Sequence, residues 1–299
     1  MVTEVKMLNL QECAAAWPEL QFAAAGESSE LIAASRAEEM HDLAGIGKLV
    51  LALTLGHLGE GDEGFLEHSL RVTDEHRRGA RTGTLRLMSA DLELSVDDAL
   101  NLVLSTGDGA CVLALLGFAE SEGVDLLAEA RAVVSMLGLS SMQLSGVERG
   151  ESWGEGLLGE TTPAETLRLL RTLGARADLK AESAAPSGLS AETRHRVQGW
   201  MSKVFEPAGL ASALPGFGPK RVPHQTVSGW EVTARGLERG YSSVLSLPNE
   251  SGEWVHVAAH LPASAAGVVS ARDASAVLGT LGLSAYRVPG ISPRVATES

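Results

Sequence analysis

The chain has 299 residues and a formal net charge of −14, from 38 Asp and Glu residues against 24 Lys and Arg residues. Such an acidic chain repels phosphate groups, so its composition argues against a nucleic-acid partner. The apolar fraction of 44% is ordinary for a globular protein, and no apolar run reaches the roughly 18 residues that a membrane-spanning helix needs.

The start of the chain and its cysteines predict a cytoplasmic protein. Residues 1–6 show no basic segment leading into an apolar core, which a signal peptide would have. Cys13 and Cys111 have neither the spacing of a metal site nor that of a disulfide framework. We therefore expect no metal ion, no cofactor and no membrane partner.

Short elements come first in the chain. Residues 8–17 predict a helix that ends at Pro18, because proline cannot continue a helix. Two apolar runs, 20–25 and 31–35, surround a Gly/Ser turn and predict a β-hairpin.

Residues 39–205 carry a mainly helical pattern. The run 48–58 is apolar on all sides over three turns, which predicts a buried central helix. Ser95 and Thr162 are expected as N-caps of later helices, because their hydroxyls can accept from the first free N–H groups. The remaining predicted helices cover residues 96–104, 110–118, 125–137, 163–173 and 192–204, and an Ala/Ser/Pro/Gly-rich connection covers 181–191.

The C-terminal part of the chain alternates between apolar and polar residues. Its predicted strands are 221–228, 241–247 and 253–261, with a turn at 249–252 and a closing helix at 271–283.

Strands at both ends and helices between them predict an α+β fold. The hairpin and the three late strands would form one antiparallel five-stranded sheet flanked by helices, in a discontinuous domain of residues 1–38 and 206–299. Residues 39–205 would form an all-helical domain. A cleft between the two domains is the expected ligand site.

Short polar motifs recur at the starts of these elements. Gly45-Ile46-Gly47-Lys48 opens the central helix, Gly107-Asp108-Gly109 precedes a later helix, and Gln225-Thr226-Val227 follows His224 on a strand. Arg149-Gly150-Glu151 precedes Thr161-Thr162-Pro163, which begins another helix. In order and spacing the chain resembles the class A β-lactamases, within the penicillin-recognising serine hydrolases, over residues 20–290. The resemblance implies the DD-peptidase/β-lactamase fold.

The departures from that family fall on its chemistry. Gly45 stands where the family has its nucleophilic serine, and Gly107 stands where it has the proton-shuttling serine. Gly109 replaces a substrate-binding amide, and Gln225 replaces the lysine that holds the substrate carboxylate. Acyl transfer needs an oxygen or sulfur nucleophile beside a base, and glycine has neither. We therefore expect no β-lactamase activity.

The surviving residues of the motifs are the candidate site. Lys48 either bonds nearby carbonyls or carboxylates, or acts as a desolvated base of lowered pKa. Asp108 either binds ligand or caps the helix that follows it. The candidate acid or base groups are Lys48, Glu151 and His224, and the candidate binding residues are Gly45, Asp108, Gln225 and Thr226.

Other candidates carry weaker patterns. Ser152 lies in a G-x-S-x-G sequence, which has meaning only on a strand–turn–helix, and the glycines after it make a poor helix start. His41 is expected to flank the cleft together with His224. The His and acidic residues of 57–68 are either a metal site or a solvated acidic loop.

The sequence leaves three functions open. The first is a β-lactamase-like pseudoenzyme that binds a small molecule bearing a carboxylate or carbonyl group, or serves as a partner of another protein. The second is an enzyme of specialised metabolism that uses the cleft for non-covalent acid/base chemistry, as an isomerase, lyase or cyclase. The third is a hydrolase with a relocated serine.

Overall fold

The computed structural model describes residues 8–27, 31–62, 64–147, 156–174, 188–204, 207–216, 221–232, 238–265 and 270–289. Its largest sheet is the antiparallel five-stranded sheet that the sequence predicts. The strands are β1 (Gln21–Gly26), β2 (Leu31–Ser35), β8 (Gln225–Val232), β9 (Glu238–Pro248) and β10 (Trp254–Pro262). They lie in the order β2-β1-β10-β9-β8, so strands from both ends of the chain pair at β1 and β10.

The two faces of this sheet pack against different layers. Along β10, Val255 and Val257 belong to an outer apolar cluster, whereas Ala258 belongs to an inner one, as the two-residue period of a strand requires. The outer face is covered by α1 (Leu10–Ala16) and α9 (Ala271–Tyr286). The inner face packs against the helical middle of the chain, which holds the larger core.

The middle of the chain is built around α2 (Ile46–Leu58), in which every residue from Ile46 to Gly56 is buried. The all-round apolar pattern of this segment therefore predicted its position correctly. Around it lie α3 (Asp74–Gly79), α4 (Val96–Thr106), α5 (Gly109–Ser121), α6 (Leu126–Met136), α7 (Pro163–Leu173) and α8 (Ala191–Ser202).

The predicted helix caps are confirmed. The Ser95 hydroxyl accepts from the N–H of Asp98 at the start of α4, and the Thr162 hydroxyl accepts from the N–H of Glu165 at the start of α7. Pro163 occupies the first turn of α7, where its missing N–H costs nothing.

The middle differs from the all-helical expectation in containing five short strands. One sheet has the order β3-β7-β6, with β3 (His41–Asp42), β6 (Gln143–Val147) and β7 (Leu157–Thr161), and a second pairs β4 (Ser69–Val72) with β5 (Leu92–Ser95). These strands have two to five residues, too few for alternation to stand out from the surrounding helical pattern. In the described ranges, no helix combines the length and the apolarity needed to cross a bilayer.

Candidate functional site

The head of α2 lies against the backbone of β8. Gly45 is the N-cap of α2, and a Cβ atom built on it would lie 2.3 Å from the nitrogen of Gly229 and 2.5 Å from the carbonyl carbon of Ser228. A Cβ on Gly229 would in turn lie 2.9 Å from the Cα of Gly45. Real Cβ atoms do not approach other atoms this closely, so the strand occupies the space that a side chain at position 45 would need.

The same turn of α2 is constrained on its other side. A Cβ on Gly47 would lie 2.0 Å from the carbonyl oxygen of Leu157 in β7. Just before the helix, buried Ala44 has a φ of 47°, a left-handed conformation that costs a non-glycine residue roughly 1–2 kcal/mol. The glycines of Gly45-Ile46-Gly47 thus let two strands close around the start of α2.

Lys48 bridges α2 to the end of α4. Its side chain is only 5% exposed, and its Nζ donates to the carbonyl oxygen of Gly107 at 2.7 Å and to Oγ1 of Thr82 at 3.1 Å. The Thr82 hydroxyl donates to the same Gly107 oxygen at 2.7 Å. An ammonium group at the last carbonyls of a helix stabilises its negative dipole end. The expected bond from Lys48 to a nearby carbonyl is therefore confirmed, and its role as a base stays a prediction.

Gly107 ends α4 in a left-handed conformation, with a φ of 65°. Glycine adopts this conformation without the steric cost that a Cβ atom brings. A Cβ at this position would lie 3.7 Å from Nζ of Lys48, an ordinary contact. The glycine is therefore explained by the helix end, and a serine here would meet backbone strain rather than a clash.

Asp108 is fully buried and forms the N-cap of α5. One carboxylate oxygen accepts from the N–H groups of Thr84 and Leu85 at 2.8 Å each. The other accepts from those of Ala110 and Cys111 at 3.1 and 3.2 Å. The helix-cap interpretation of Asp108 is confirmed, and its binding role stays a prediction.

The candidates on β8 are partly engaged within the sheet. The hydroxyl of buried Thr226 donates to the carbonyl of Val244 at 2.6 Å, and half-buried Gln225 lies opposite Ser246 of β9. His224 lies just before the strand with its Nδ1 2.9 Å from the carbonyl oxygen of Val222. Burial lowers the pKa of His224 below its ordinary value.

A cavity of about 300 Å³ lies between the end of α4, the first half of β8 and the segment after α8. Thr226 contributes to its wall, whereas Lys48 lies behind Gly107 and is not among the described lining residues. The described wall consists of Thr84, Leu104, Ser105, Thr106, Gly107, Val204, Ala208, Thr226, Val227 and Ser228.

Some predicted site residues cannot be placed. Glu151 and Ser152 lie outside the described residues, and so does Arg149. The predicted helix start at Thr161-Thr162-Pro163 is confirmed, since buried Thr162 is the N-cap of α7.

His41 lies in a buried interface rather than in the wall of this cavity. Its ring stacks on that of His260 in β10, with centroids 4.2 Å apart, and burial lowers its pKa to about 4. His57 instead pairs with Glu60 at 2.9 Å. Within the described ranges, no group of three or more His, Cys, Asp or Glu side chains could hold a metal ion.

The sequence did not identify the Thr82 partner of Lys48, the cavity residue Ser105 or the Gly229 partner of Gly45. Thr82 contacts Lys48 although the two lie 34 residues apart, and nothing in its own surroundings in the sequence marks it. Ser105 lies two positions before Gly107, so it could have been included with the Gly107-Asp108-Gly109 motif. Gly229 follows the predicted strand segment, but its contact with Gly45 depends on how closely α2 and β8 approach.

No protein-family model matches the chain, and no curated protein matches it. Solved structures do match. A β-lactamase from Sphaerobacter thermophilus is 16% identical, with a TM-score of 0.71 over 93% of this chain and 94% of the other.

A class A β-lactamase from Bacteroides cellulosilyticus is 17% identical, with a TM-score of 0.69 over 92% of this chain and 95% of the other. The protein PBP-A is 13% identical, with a TM-score of 0.66 over 93% and 92%. Identities this low show the fold alone: the chain is folded as a class A β-lactamase or PBP-A is.

Proposed function

We propose that this protein binds a small molecule in the cavity between α4 and β8 and does not hydrolyse β-lactams. The observation that carries the proposal is the backbone contact between Gly45 and Gly229, at the position where the resembling family has its nucleophile. A cavity of about 300 Å³ remains beside this contact, large enough for a small ligand.

Two measurements on the purified protein test the hydrolase half of the proposal. We expect no turnover of nitrocefin above that of a Lys48→Ala variant, and no covalent adduct by intact mass after incubation with a penicillin. Removal of a nucleophile leaves only the residual rate that binding and electrostatics supply. Turnover above the variant, or an adduct, would overturn it.

The binding half is tested by filling the cavity. A fragment library is screened by ¹H–¹⁵N spectroscopy for shifts at Gly107 and Ser228, and hits are repeated with Ser105→Trp. A tryptophan at Ser105 would occupy the cavity and abolish the shifts. Ser121→Trp, an exposed substitution at the end of α5, is the matched control and should retain them. A library without hits, or hits that survive Ser105→Trp, would contradict the proposal.

A second candidate is an enzyme with non-covalent acid/base chemistry, such as an isomerase, lyase or cyclase. The observation in its favour is the buried Lys48 ammonium 3.1 Å from the half-buried hydroxyl of Thr82, a pair that could relay a proton. Incubation with a panel of lactones and enolisable carbonyl compounds, followed by mass spectrometry and proton-exchange NMR, tests it. Products or exchange that disappear in Lys48→Met would favour the enzyme over the binding protein.

A cytoplasmic location and a role in specialised metabolism belong to the same proposal. Cys13 and Cys111 are both free and buried, as is usual for proteins of a reducing compartment. Fractionation of the producing cells tests the location, and the metabolite profile of a deletion strain tests the role. A protein partner is the remaining alternative, which co-purification of the endogenous protein would reveal.

A further inference from the structure

We infer that the cavity beside α4 takes an uncharged small molecule that donates hydrogen bonds, such as one with a primary amide group, in preference to a carboxylate. This inference rests on the proposed function, since it names the ligand class for the same cavity.

The described wall of the cavity carries no charged side chain. An ion that leaves water for such a site needs an opposite charge or several hydrogen bonds, and otherwise loses more solvation than it gains. In the resembling family a lysine supplies that charge for the substrate carboxylate, and here the corresponding residue is Gln225. The described part of the wall therefore favours a neutral ligand.

Two charged groups close to the end of α4 are already engaged within the protein. The Lys48 ammonium donates to the Gly107 carbonyl and the Thr82 hydroxyl on the far side of the wall. The Asp108 carboxylate accepts four backbone N–H groups at the start of α5. Both charges are therefore occupied by partners inside the protein.

The last turn of α4 supplies hydrogen-bond acceptors. The N–H of Asp108, which would normally pair with the carbonyl of Leu104, donates to the carbonyl of Leu102 instead. The N–H of Gly109, the usual partner of the Ser105 carbonyl, likewise goes to a carbonyl outside the helix. Leu104 and Ser105 both line the cavity, and the end of a helix carries partial negative charge. Carbonyl groups at this end of α4 accept from N–H or O–H donors, so a ligand that carries such donors suits this part of the wall.

Hydroxyl groups and apolar side chains complete the wall. Thr84 and Ser105 carry hydroxyls, which can both donate and accept, whereas the hydroxyl of Ser228 is engaged with that of Ser243 at 2.7 Å. Leu104 and Val227 present apolar surface. A primary amide on a short apolar skeleton matches both parts, whereas a carboxylate, which only accepts, would face the carbonyl end of α4.

A matched pair of probes separates the two ligand classes. 4-Phenylbutanamide and 4-phenylbutanoate share one skeleton and differ only in the polar group. Binding of each is titrated by ¹H–¹⁵N spectroscopy at pH 7.5 and fitted at the resonances of Ser105 and Ser228. We expect the amide to bind at least about tenfold more tightly than the carboxylate.

Two lysine substitutions test whether the missing positive charge on the wall is what disfavours the carboxylate. Thr84→Lys places an ammonium group on the wall and keeps the backbone N–H that binds Asp108, so it should raise carboxylate affinity by about tenfold. Thr280→Lys adds the same charge at a half-buried position on α9, across the main sheet, and should change neither affinity. Melting temperatures confirm that both variants fold.

The outcomes distinguish this inference from the proposed function. Carboxylate binding equal to amide binding in the wild-type protein, or a gain in Thr280→Lys equal to that in Thr84→Lys, would overturn the inference and leave a binding cavity. Shifts from neither probe at millimolar concentration would overturn both.

Discussion

Gly45 and Gly229 touch through their backbones, and neither residue can carry a side chain without moving the other. Gly45 begins α2, the most buried helix, and Gly229 lies in β8, at the edge of the main sheet. The close approach of β8 therefore depends on a glycine at position 45. A serine introduced at position 45 would have to displace β8 before its hydroxyl could react.

Gly45→Ser is expected to lower stability without creating a hydrolase. The new Cβ would meet the backbone of Ser228 and Gly229 at 2.5 Å or less, and overpacking of this kind typically costs about 1–3 kcal/mol. General acid–base assistance is worth about 10²–10⁴-fold in rate, and Gly107 and Gln225 supply neither the proton shuttle nor the substrate charge. Chemical denaturation and a nitrocefin assay measure the two effects.

Gly199→Ser is the control for that substitution. Gly199 lies in α8, and a Cβ built on it meets nothing within 4 Å, so serine should be tolerated there. A Gly45→Ser protein as stable as Gly199→Ser would show that β8 can move away from position 45 at little cost in free energy. Efficient nitrocefin hydrolysis by Gly45→Ser would show that the other motifs are less altered than their residues suggest.

Lys48→Met is expected to destabilise the protein through the loss of its bond to the end of α4. Hydrogen bonds from charged groups contribute about 1.5–3 kcal/mol, and methionine keeps the length of the side chain without the ammonium. A double-mutant cycle with Thr82→Val should show a coupling of about 0.5–3 kcal/mol, because the two side chains are in direct contact.

Lys203→Met, at an exposed position after α8, is the matched control and should leave the free energy of unfolding unchanged. A normal melting temperature for Lys48→Met combined with loss of ligand binding would contradict the bracing role and place Lys48 in the site.

The fold could be predicted from the sequence because its signals are local or strongly periodic. The all-round apolarity of α2, the capping hydroxyls of Ser95 and Thr162, and the turn at Asn249 each report on a few neighbouring residues. The strands β3 to β7 could not be predicted, since a strand of two to five residues shows too few alternations.

The site was harder to predict because it depends on distances between elements. Asp108 was recognised as a cap from its own segment, whereas the partner of Lys48 in the loop at Thr82 follows only from the packing of α2 against α4. The Gly45–Gly229 contact is of the same kind. The sequence alone shows a glycine at position 45, but it does not show that a strand lies against that glycine.

Cys13 and Cys111 are expected to be inert towards thiol reagents in the folded protein. Burial raises the pKa of both thiols, and the neighbouring Asp108 carboxylate raises that of Cys111 further. The thiolate is the reactive form, so both cysteines should react with an aromatic disulfide reagent only after denaturation. Fast labelling of Cys111 in the native protein would indicate that the start of α5 opens locally. Cys111→Ser and Cys13→Ser assign the labelled position.

Stability is expected to fall as the pH drops below 6.5, because three buried histidines must stay neutral in the folded protein. Burial lowers the pKa of His41 and of His256 to about 4, and that of His260 well below 6.5. The positive charge of Arg171 on α7 adds to the effect at His256, and His41 adds to it at His260. The unfolded chain therefore binds protons that the folded chain does not.

The stabilisation is fully present above pH 6.5 and is lost progressively as the pH falls towards 4. His41 and His256 should each cost on the order of 2 kcal/mol between pH 7 and pH 5, and His260 acts in the same direction. His41→Phe keeps a flat ring against His260 and removes one titrating group, so its stability should depend less steeply on pH in this range. His195→Phe, at an exposed position on α8, should retain the wild-type slope. Urea denaturation at half-unit steps of pH from 7.5 to 5 measures both slopes. A wild-type free energy of unfolding that stays constant over this range would contradict the prediction. It would show that His41 and His260 can be protonated while their rings stay stacked between β3 and β10.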